Sequence, residues 1–235
     1  MNLAILSDIH GNIDALMEVL EVCNKKGVER FLILGDLVGY YYHPKEVLET
    51  LLSFNTIMIQ GNHERLLEGL VNGKIDQETL CEKYGCGHKI AANSLSKEQL
   101  KYLFNLPKQI SLKIDNTTFS LNHGSPNNYD EYLYPNSSKE ILDRCNIASV
   151  DFVLVGHSHY AFEYKCNNSI LLNVGSVGQN REKSGIASWG LINSVTKEYN
   201  LIETAYDVEK VFKEAMIRDP YIKYNSNILK RRAKN

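Results

Sequence analysis

Five short apolar runs in this chain each end in a residue able to hold a metal ion. They are Leu3-Ala-Ile-Leu-Ser-Asp8-Ile-His10, Phe31-Leu-Ile-Leu-Gly-Asp36, Thr56-Ile-Met-Ile-Gln-Gly-Asn62-His63, Phe119-Ser-Leu-Asn-His123 and Phe152-Val-Leu-Val-Gly-His157-Ser-His159. Aliphatic and β-branched runs of about four to eight residues read as buried strands. Each strand then presents its polar residue at its carboxyl end, the edge where open α/β sheets bind ligands. The runs therefore predict an α/β fold with a polar site along one edge. A lone histidine in such a place is more often a packed or surface side chain than a ligand. Five of the seven histidines fall in these runs, beside two aspartates, and that concentration points to a metal site. His43 and His88 lie outside the runs and read as ordinary core or surface histidines.

Between the runs the pattern alternates. Ile13, Leu16, Met17, Val19, Leu20 and Cys23 form a helical stripe that Gly27 can stop, and Pro44 suits a helix first turn. Strand, helix, strand, helix, strand through Ile59 make a βαβαβ half with short loops. From 65 to 106 the chain turns helical and polar; Ser96-Lys-Glu-Gln99 has the capping-box form and Pro107 closes the stretch. This predicts a helical cap inserted into the fold. Strands are expected again at 109–114 and 117–122, a helix from Ser137-Ser-Lys-Glu140, and hairpins over 161–173 and 188–206. The main domain is expected to span residues 1–206. Residues 207–235 are expected to hold a helix capped by Asp207 and, from Tyr221, a solvated basic tail with Lys223, Lys230, Arg231, Arg232 and Lys234, loosely ordered at its end.

At 235 residues, with 43% hydrophobic and 23% charged side chains, the chain can bury one sizeable core. A net charge of −2 gives no broad attraction to nucleic acid or to an anionic membrane. No apolar run approaches the roughly 18 residues of a membrane span. The first strand leads straight into the candidate site without a secretion signal, and the five cysteines are odd in number without CxxC spacing. They read as reduced packing thiols of a cytoplasmic protein.

The order of residue types carries a family resemblance. Asp8-x-His10, Gly35-Asp-Leu-Val-Gly39, Gly61-Asn-His-Glu64, His123-Gly124 and Gly156-His-Ser-His159 resemble the motifs of the calcineurin-like metallophosphoesterases, over residues 1–206. Gly35-Asp-Leu-Val-Gly-Tyr40, His123-Gly-Ser-Pro126 and Asn173-Val-Gly-Ser-Val-Gly-Gln179 are similar to the compact bacterial and archaeal phosphodiesterase branch. That branch more often has Asp in place of Glu64 and Pro in place of Val174. The resemblance implies a β-sandwich of two mixed sheets flanked by helices.

Hydrolysing a phosphate ester requires a nucleophile at neutral pH, neutralised phosphoryl oxygens and a protonated leaving group. Two metal ions roughly 3.5–4 Å apart supply the first two. The resemblance implies that Asp8, His10, Asp36 and His159 hold one ion. Asp36, Asn62, His123 and His157 would hold the other, with Asp36 bridging through its two oxygens. Nitrogen and oxygen donors without thiolate favour Mn, Fe or Zn, and Mn is the expected metal. A bridging hydroxide would attack phosphorus. His63 would protonate the leaving oxygen as general acid, with Glu64 orienting its ring.

Arg65 and Arg181 are candidate phosphate clamps. The Tyr40-Tyr41-Tyr42 run, and Tyr84, could stack on a base, or the run could pack its own loop; the sequence leaves both open. Gly175-Ser-Val-Gly178 could bring backbone N–H groups to phosphate. The implied activity is hydrolysis of a small phosphodiester or nucleotide enclosed beneath the cap. Neither a nucleic-acid polymer nor a membrane is expected as partner, and the oligomeric state is not readable. Two other readings stand beside it. A non-catalytic scaffold would have ligand or acid positions replaced, and here all are filled. A serine/threonine phosphatase is suggested by Gly61-Asn-His-Glu64, but the Asp-Arg pair of that branch is missing after Asp36.

Overall fold

The computed structural model describes residues 1–231. The chain begins β1 (Asn2–Leu6), α1 (Ile13–Lys25), β2 (Val28–Ile33), α2 (Pro44–Leu52) and β3 (Thr56–Met58). Four helices follow: α3 (Asn62–Val71), α4 (Gln77–Tyr84), α5 (Gly87–Ser94) and α6 (Lys97–Phe104). Then come β4 (Gln109–Ile114), β5 (Thr117–Asn122), α7 (Lys139–Asp143), β6 (Phe152–Val155), β7 (Ala161–Lys165) and β8 (Ile170–Val174). The chain closes with β9 (Ile186–Asn193), β10 (Tyr199–Ala205), α8 (Val208–Arg218) and α9 (Lys223–Ile228).

Two five-stranded sheets result, ordered β10-β9-β1-β2-β3 and β4-β5-β6-β8-β7. In each, three strands run parallel (β1, β2, β3 and β5, β6, β8), and the other two pair antiparallel with their neighbours. Where both of their faces are covered, the parallel strands carry mostly apolar side chains. Leu3, Ile5, Leu32, Leu34 and Ile59 meet Phe119, Leu121, Phe152, Leu154, Leu172 and Val174 between the sheets. The alternate residues Ala4, Leu6, Phe31 and Ile33 face outward, onto Leu16, Val19 and Leu20 of α1 and Val47, Leu48 and Leu51 of α2. Sheet on sheet, with helices outside, is the sandwich that the resemblance implies.

The cap is α3 to α6. Asn62 and His63 sit in the first turn of α3, so the helical segment starts inside the third motif and not after it. Ser96 accepts from the Gln99 N–H at 3.2 Å, and Gln99 returns the bond to the Ser96 N–H. Helix α5 packs on α2, α3 and α4.

The expectation of a solvated tail from Tyr221 is corrected for residues 223–231, while the end expected to be loosely ordered lies outside the described residues. Residues 223–228 form α9, and Asn225, Ser226, Ile228 and Leu229 are buried against Tyr40, Val211 and Ala215. Asn225 donates from its amide to the Tyr84 carbonyl at 3.0 Å, and Arg231 to the Arg181 carbonyl at 3.2 Å. Arg232 and Lys234 lie outside the described residues. Among the described residues, no helix is long and apolar enough to cross a membrane.

Candidate metal centre

The loops that leave β1, β2 and β6 carry their polar residues on a left-handed backbone. The φ angles are 54° at Asp8, 51° at His10, 55° at Asp36, and 64° at both His157 and His159. This conformation costs about 1–2 kcal/mol per non-glycine residue and persists where its surroundings fix it. Here the loops stitch to one another. Asp8 N–H donates to the Gly35 carbonyl at 3.1 Å, His10 N–H to Asp36 at 2.9 Å, and Gly156 N–H to His123 at 2.9 Å. Gly35, at φ +93°, lies so close to Gly61 that a Cβ would fall 2.4 Å from its nitrogen.

Backbone carbonyls fix which nitrogen of each histidine faces inward. Nδ1 of His10 meets the Val38 carbonyl at 3.0 Å, that of His123 meets Leu34 at 2.8 Å, and that of His159 meets Gln179 at 2.7 Å. A carbonyl only accepts, so each Nδ1 carries a proton, and in the neutral ring each Nε2 turns a lone pair inward. His10 Nε2 and His159 Nε2 are 3.1 Å apart, and Asp8 Oδ1 lies 3.1 Å from the second. His123 Nε2 lies 2.9 Å from Asn62 Oδ1 and 3.2 Å from Asp36 Oδ2. Acceptors thus crowd acceptors in a buried space. Among the described residues, Asp8 Oδ1 and His157 Nε2 have no hydrogen-bond partner. Such a set fits a cation and fits little else.

The charge states of His157, His159 and Asp8 agree with that fit, while His123 holds a proton that a cation would displace. Burial pushes His157 and His159 down to about 4, leaving neutral rings. Burial works against the charge of Asp8, but His159 and His10 outweigh it and hold the carboxylate low. At His123 burial also opposes charge, yet the Asp36 carboxylate holds its imidazole up to about 9.

Asp36 joins His10 and His63 in one group of candidate ligands and His123 and His157 in another, and Asp8, His10 and His159 form a third. Asp36 Oδ2 is 3.8 Å from His10 Nε2 and 3.2 Å from His123 Nε2. Its Oδ1 accepts from the His63 N–H at 2.8 Å. Oδ2 is thus the oxygen that lies within 3.8 Å of a ring nitrogen on each side, His10 and His123, whereas the expectation is that two oxygens serve the two ions.

Glu64 does not orient the His63 ring. Its carboxylate accepts from Gly61 N–H at 2.8 Å, Asp36 N–H at 2.9 Å and Leu37 N–H at 2.8 Å. It is the third residue of α3 and ties the Asp36 loop to that helix. Burial, with Asp36 nearby, raises it from the ordinary carboxylate range. The partner of His63 is His88 from α5, with Nδ1 to Nε2 at 3.1 Å and the rings stacked at 4.9 Å and 12°. His88 was read as an ordinary histidine, and no spacing in the sequence ties it to His63.

Around this core the other candidates separate. Arg65 is spent on Asp130 and on the Gly61 carbonyl, so the structure does not hold it free as a clamp. Arg181 is closer to the centre: its charge is felt by His159 and Tyr132, and its buried Nε has no protein partner. Tyr41 and Tyr42 pack under the C-terminal helices, Tyr42 donating to Asp219 at 2.8 Å. Tyr40 is buried edge-on to His10 at 4.8 Å, so the run is packing and not an open stacking platform. The amides of Gly175, Val177 and Gly178 are taken by Asn173, Ser7 and Asp8, which removes them as phosphate donors. An aromatic that the sequence reading missed is Tyr132, whose exposed ring stacks on His157 at 3.9 Å. The alternation Tyr132-Leu133-Tyr134 about one buried leucine was its signal.

Known proteins agree with this geometry. The sequence model of the calcineurin-like phosphoesterase superfamily domain matches residues 1–196. An uncharacterized protein of Methanocaldococcus jannaschii is 28% identical over 232 residues, 90% of each chain. Among solved structures, a hypothetical protein from Pyrococcus horikoshii superposes with a TM-score of 0.83, at 22% identity and over 97% of both chains. A metallophosphoesterase from Sphaerobacter thermophilus gives a TM-score of 0.80, at 22% identity and over 98% of both. These two structures share the fold. With the family matched over residues 1–196 and a buried cluster of acceptors at its strand ends, the chain belongs to the calcineurin-like phosphoesterase superfamily and is a metal-dependent phosphoesterase.

Proposed function

We propose that the centre holds two ions, Mn being the favoured metal, and hydrolyses small phosphodiesters or nucleotides. One observation carries the binuclear reading: Asp36 Oδ2 lies within 3.8 Å of an inward Nε2 on each side. Asp8, His10 and His159 would hold the first ion, Asn62, His123 and His157 the second, and Asp36 would be shared. Ions bound there supply a nucleophile from water at neutral pH and neutralise the phosphoryl oxygens. The rest falls to the chain. His63 gives the proton on Nε2 to the leaving oxygen as the P–O bond breaks and its electron pair stays on that oxygen. Burial pushes the His63 ring well below the ordinary imidazole range, opposed by Asp36. The charge of a bound phosphate then favours the protonated ring. Arg181 binds a non-bridging oxygen through a guanidinium already stripped of water.

The cap supports a small substrate. Tyr84, at the end of α4, lies edge-on to His63 at 4.8 Å, and Tyr132 covers His157 from the other side. Tyr132 stacks in turn on Tyr134 at 6.0 Å and 8°, a platform suited to a nucleobase. The net charge of −2 gives no pull on a polymer of phosphates. The test compares kcat/KM for small nucleotides, bis-nitrophenyl phosphate, phosphopeptides and DNA on Mn²⁺-loaded protein. Preference for nucleotides and the activated diester is expected. Preference for phosphopeptides would favour the protein-phosphatase reading, preference for DNA a nuclease, and no turnover a scaffold.

A further inference from the structure

His88 belongs to the cap, 25 positions from His63, yet its Nε2 reaches His63 Nδ1 at 3.1 Å. Both rings are buried, at 0% and 4% exposure, and they lie nearly parallel. His63 is closed in on its other sides by His10 at 4.7 Å, Tyr40 at 5.0 Å and Tyr84 at 4.8 Å. Gly39 runs so near that a Cβ there would meet His63 Nδ1 at 2.2 Å. Packing alone thus confines the ring, but an imidazole turned over in the same slot fills the same volume. What distinguishes its two nitrogens is the polar partner on one side, and that partner is His88.

We infer that His88 is the positioning residue of the general acid: its Nε2 accepts the Nδ1–H of His63 and so presents the His63 Nε2–H to the leaving oxygen. The inference rests on the phosphoesterase reading above. The proton count closes. Protonated His63 carries hydrogens on both nitrogens; Nε2 surrenders its own to the leaving oxygen, and the Nδ1 hydrogen stays on His63, donated to His88 Nε2. The ring is left neutral in the orientation from which it takes up its next proton from water. His88 Nδ1, buried without a partner, carries the remaining proton of its own uncharged ring. Helix α5 therefore completes a site whose other parts stand on the strand ends, so docking of the cap and competence for proton transfer become one event.

Two substitutions separate a hydrogen bond from mere packing. His88→Phe keeps a ring in the stack and removes the acceptor; His88→Gln places a side-chain amide oxygen near the lost Nε2 and removes the ring. On Mn²⁺-loaded full-length protein, bis-nitrophenyl phosphate needs little protonation at its leaving group, and an alkyl phosphodiester needs much. His88→Phe is expected to keep its metal content and about the parent rate on the nitrophenyl ester, and to lose at least about tenfold in kcat on the alkyl ester. His88→Gln is expected to recover most of that loss. In ¹⁵N-histidine spectra the protonated His63 Nδ1 signal should persist in the Gln variant and vanish in the Phe variant. Equal losses on both esters, a fully active Phe variant, or an unchanged His63 Nδ1 signal would each overturn the inference. A parent protein that binds Mn²⁺ and hydrolyses no ester would overturn the phosphoesterase reading and this inference together.

Discussion

The His63 backbone N–H donates to Asp36 Oδ1 at 2.8 Å, which couples the carboxylate between the two histidine groups to the helix that carries the candidate acid. One carboxylate oxygen orients α3 and the other faces the centre. Division of labour within a single side chain makes Asp36 intolerant of even an isosteric change.

Asp36→Asn is therefore expected to retain the fold, bind fewer than two ions, and lose several orders of magnitude in kcat. Metal content by mass analysis, read beside turnover, checks it. A variant with two ions and a near-normal rate would remove Asp36 from the bridge.

His63→Ala is expected to keep both ions and lose about 10²–10⁴-fold in kcat, with the loss shrinking for nitrophenyl esters. Parallel rates on esters of graded leaving-group acidity measure it. A uniform loss across the series would deny the acid role.

Loading should follow pH. In the ion-free protein His123 stays protonated up to about 9, raised from its ordinary value by Asp36, and a cation must displace that proton. Apparent affinity should rise with pH across this range, with proton release on binding, by about tenfold per unit where one proton leaves. The sign for stability is opposite. The His123–Asp36 pair stabilises the ion-free fold fully below the ordinary histidine value and loses that contribution as pH rises through about 9. Calorimetry in buffers of different ionisation enthalpy reads the first effect, and melting curves the second.

Glu64→Gln replaces one accepting oxygen by an amide nitrogen that faces the N–H groups of Asp36 and Leu37 or of Gly61. Leaving a buried donor unmatched costs about 1–3 kcal/mol. Lower thermal stability and weaker ion binding are expected together, the second because the loop that carries Asp36 loosens. Unchanged melting would place the carboxylate outside the loop's support.

Deleting residues 222–235 is expected to lower both stability and activity. Burial of Ile228 and Leu229 contributes about 1.5–3 kcal/mol each, and Asn225 no longer holds the Tyr84 carbonyl beside the acid. A truncated protein that melts and turns over like the parent would make α9 dispensable.

The strands and their terminal residues were legible because a covered parallel strand has one chemical signature, an unbroken apolar run, and the polar residue that ends it stands out. Asp8, Asp36, His123 and His157 were found in this way. Helix α9 was not legible. Its Tyr224-Asn-Ser-Asn227 core is polar, with Asn225 donating to a distant carbonyl, and the buried Ile228 and Leu229 come only at its end, which leaves no hydrophobic period. His88 was hidden for the same reason: a contact made by one helix settling on another has no local spelling. Glu64 was legible and misread. Gly61-x-x-Glu64 has the spacing at which a helix's third residue turns back to its own cap, and the carboxylate follows that rule.

The seam between the sheets has a mechanical consequence. Asp8 and His10 hang from one sheet and His157 and His159 from the other, and the His157 N–H already reaches Asp8 Oδ2 across 149 positions of chain. A cation seated between Asp8 and His10 of one sheet and His159 of the other would be a removable rivet between two halves that each keep their own pairing. Closing a loop of that length by a few strong bonds suppresses the slow opening of the seam far more than it alters either half. The lifetime of the folded protein, and not only its turnover, would then be set by how long its ions stay.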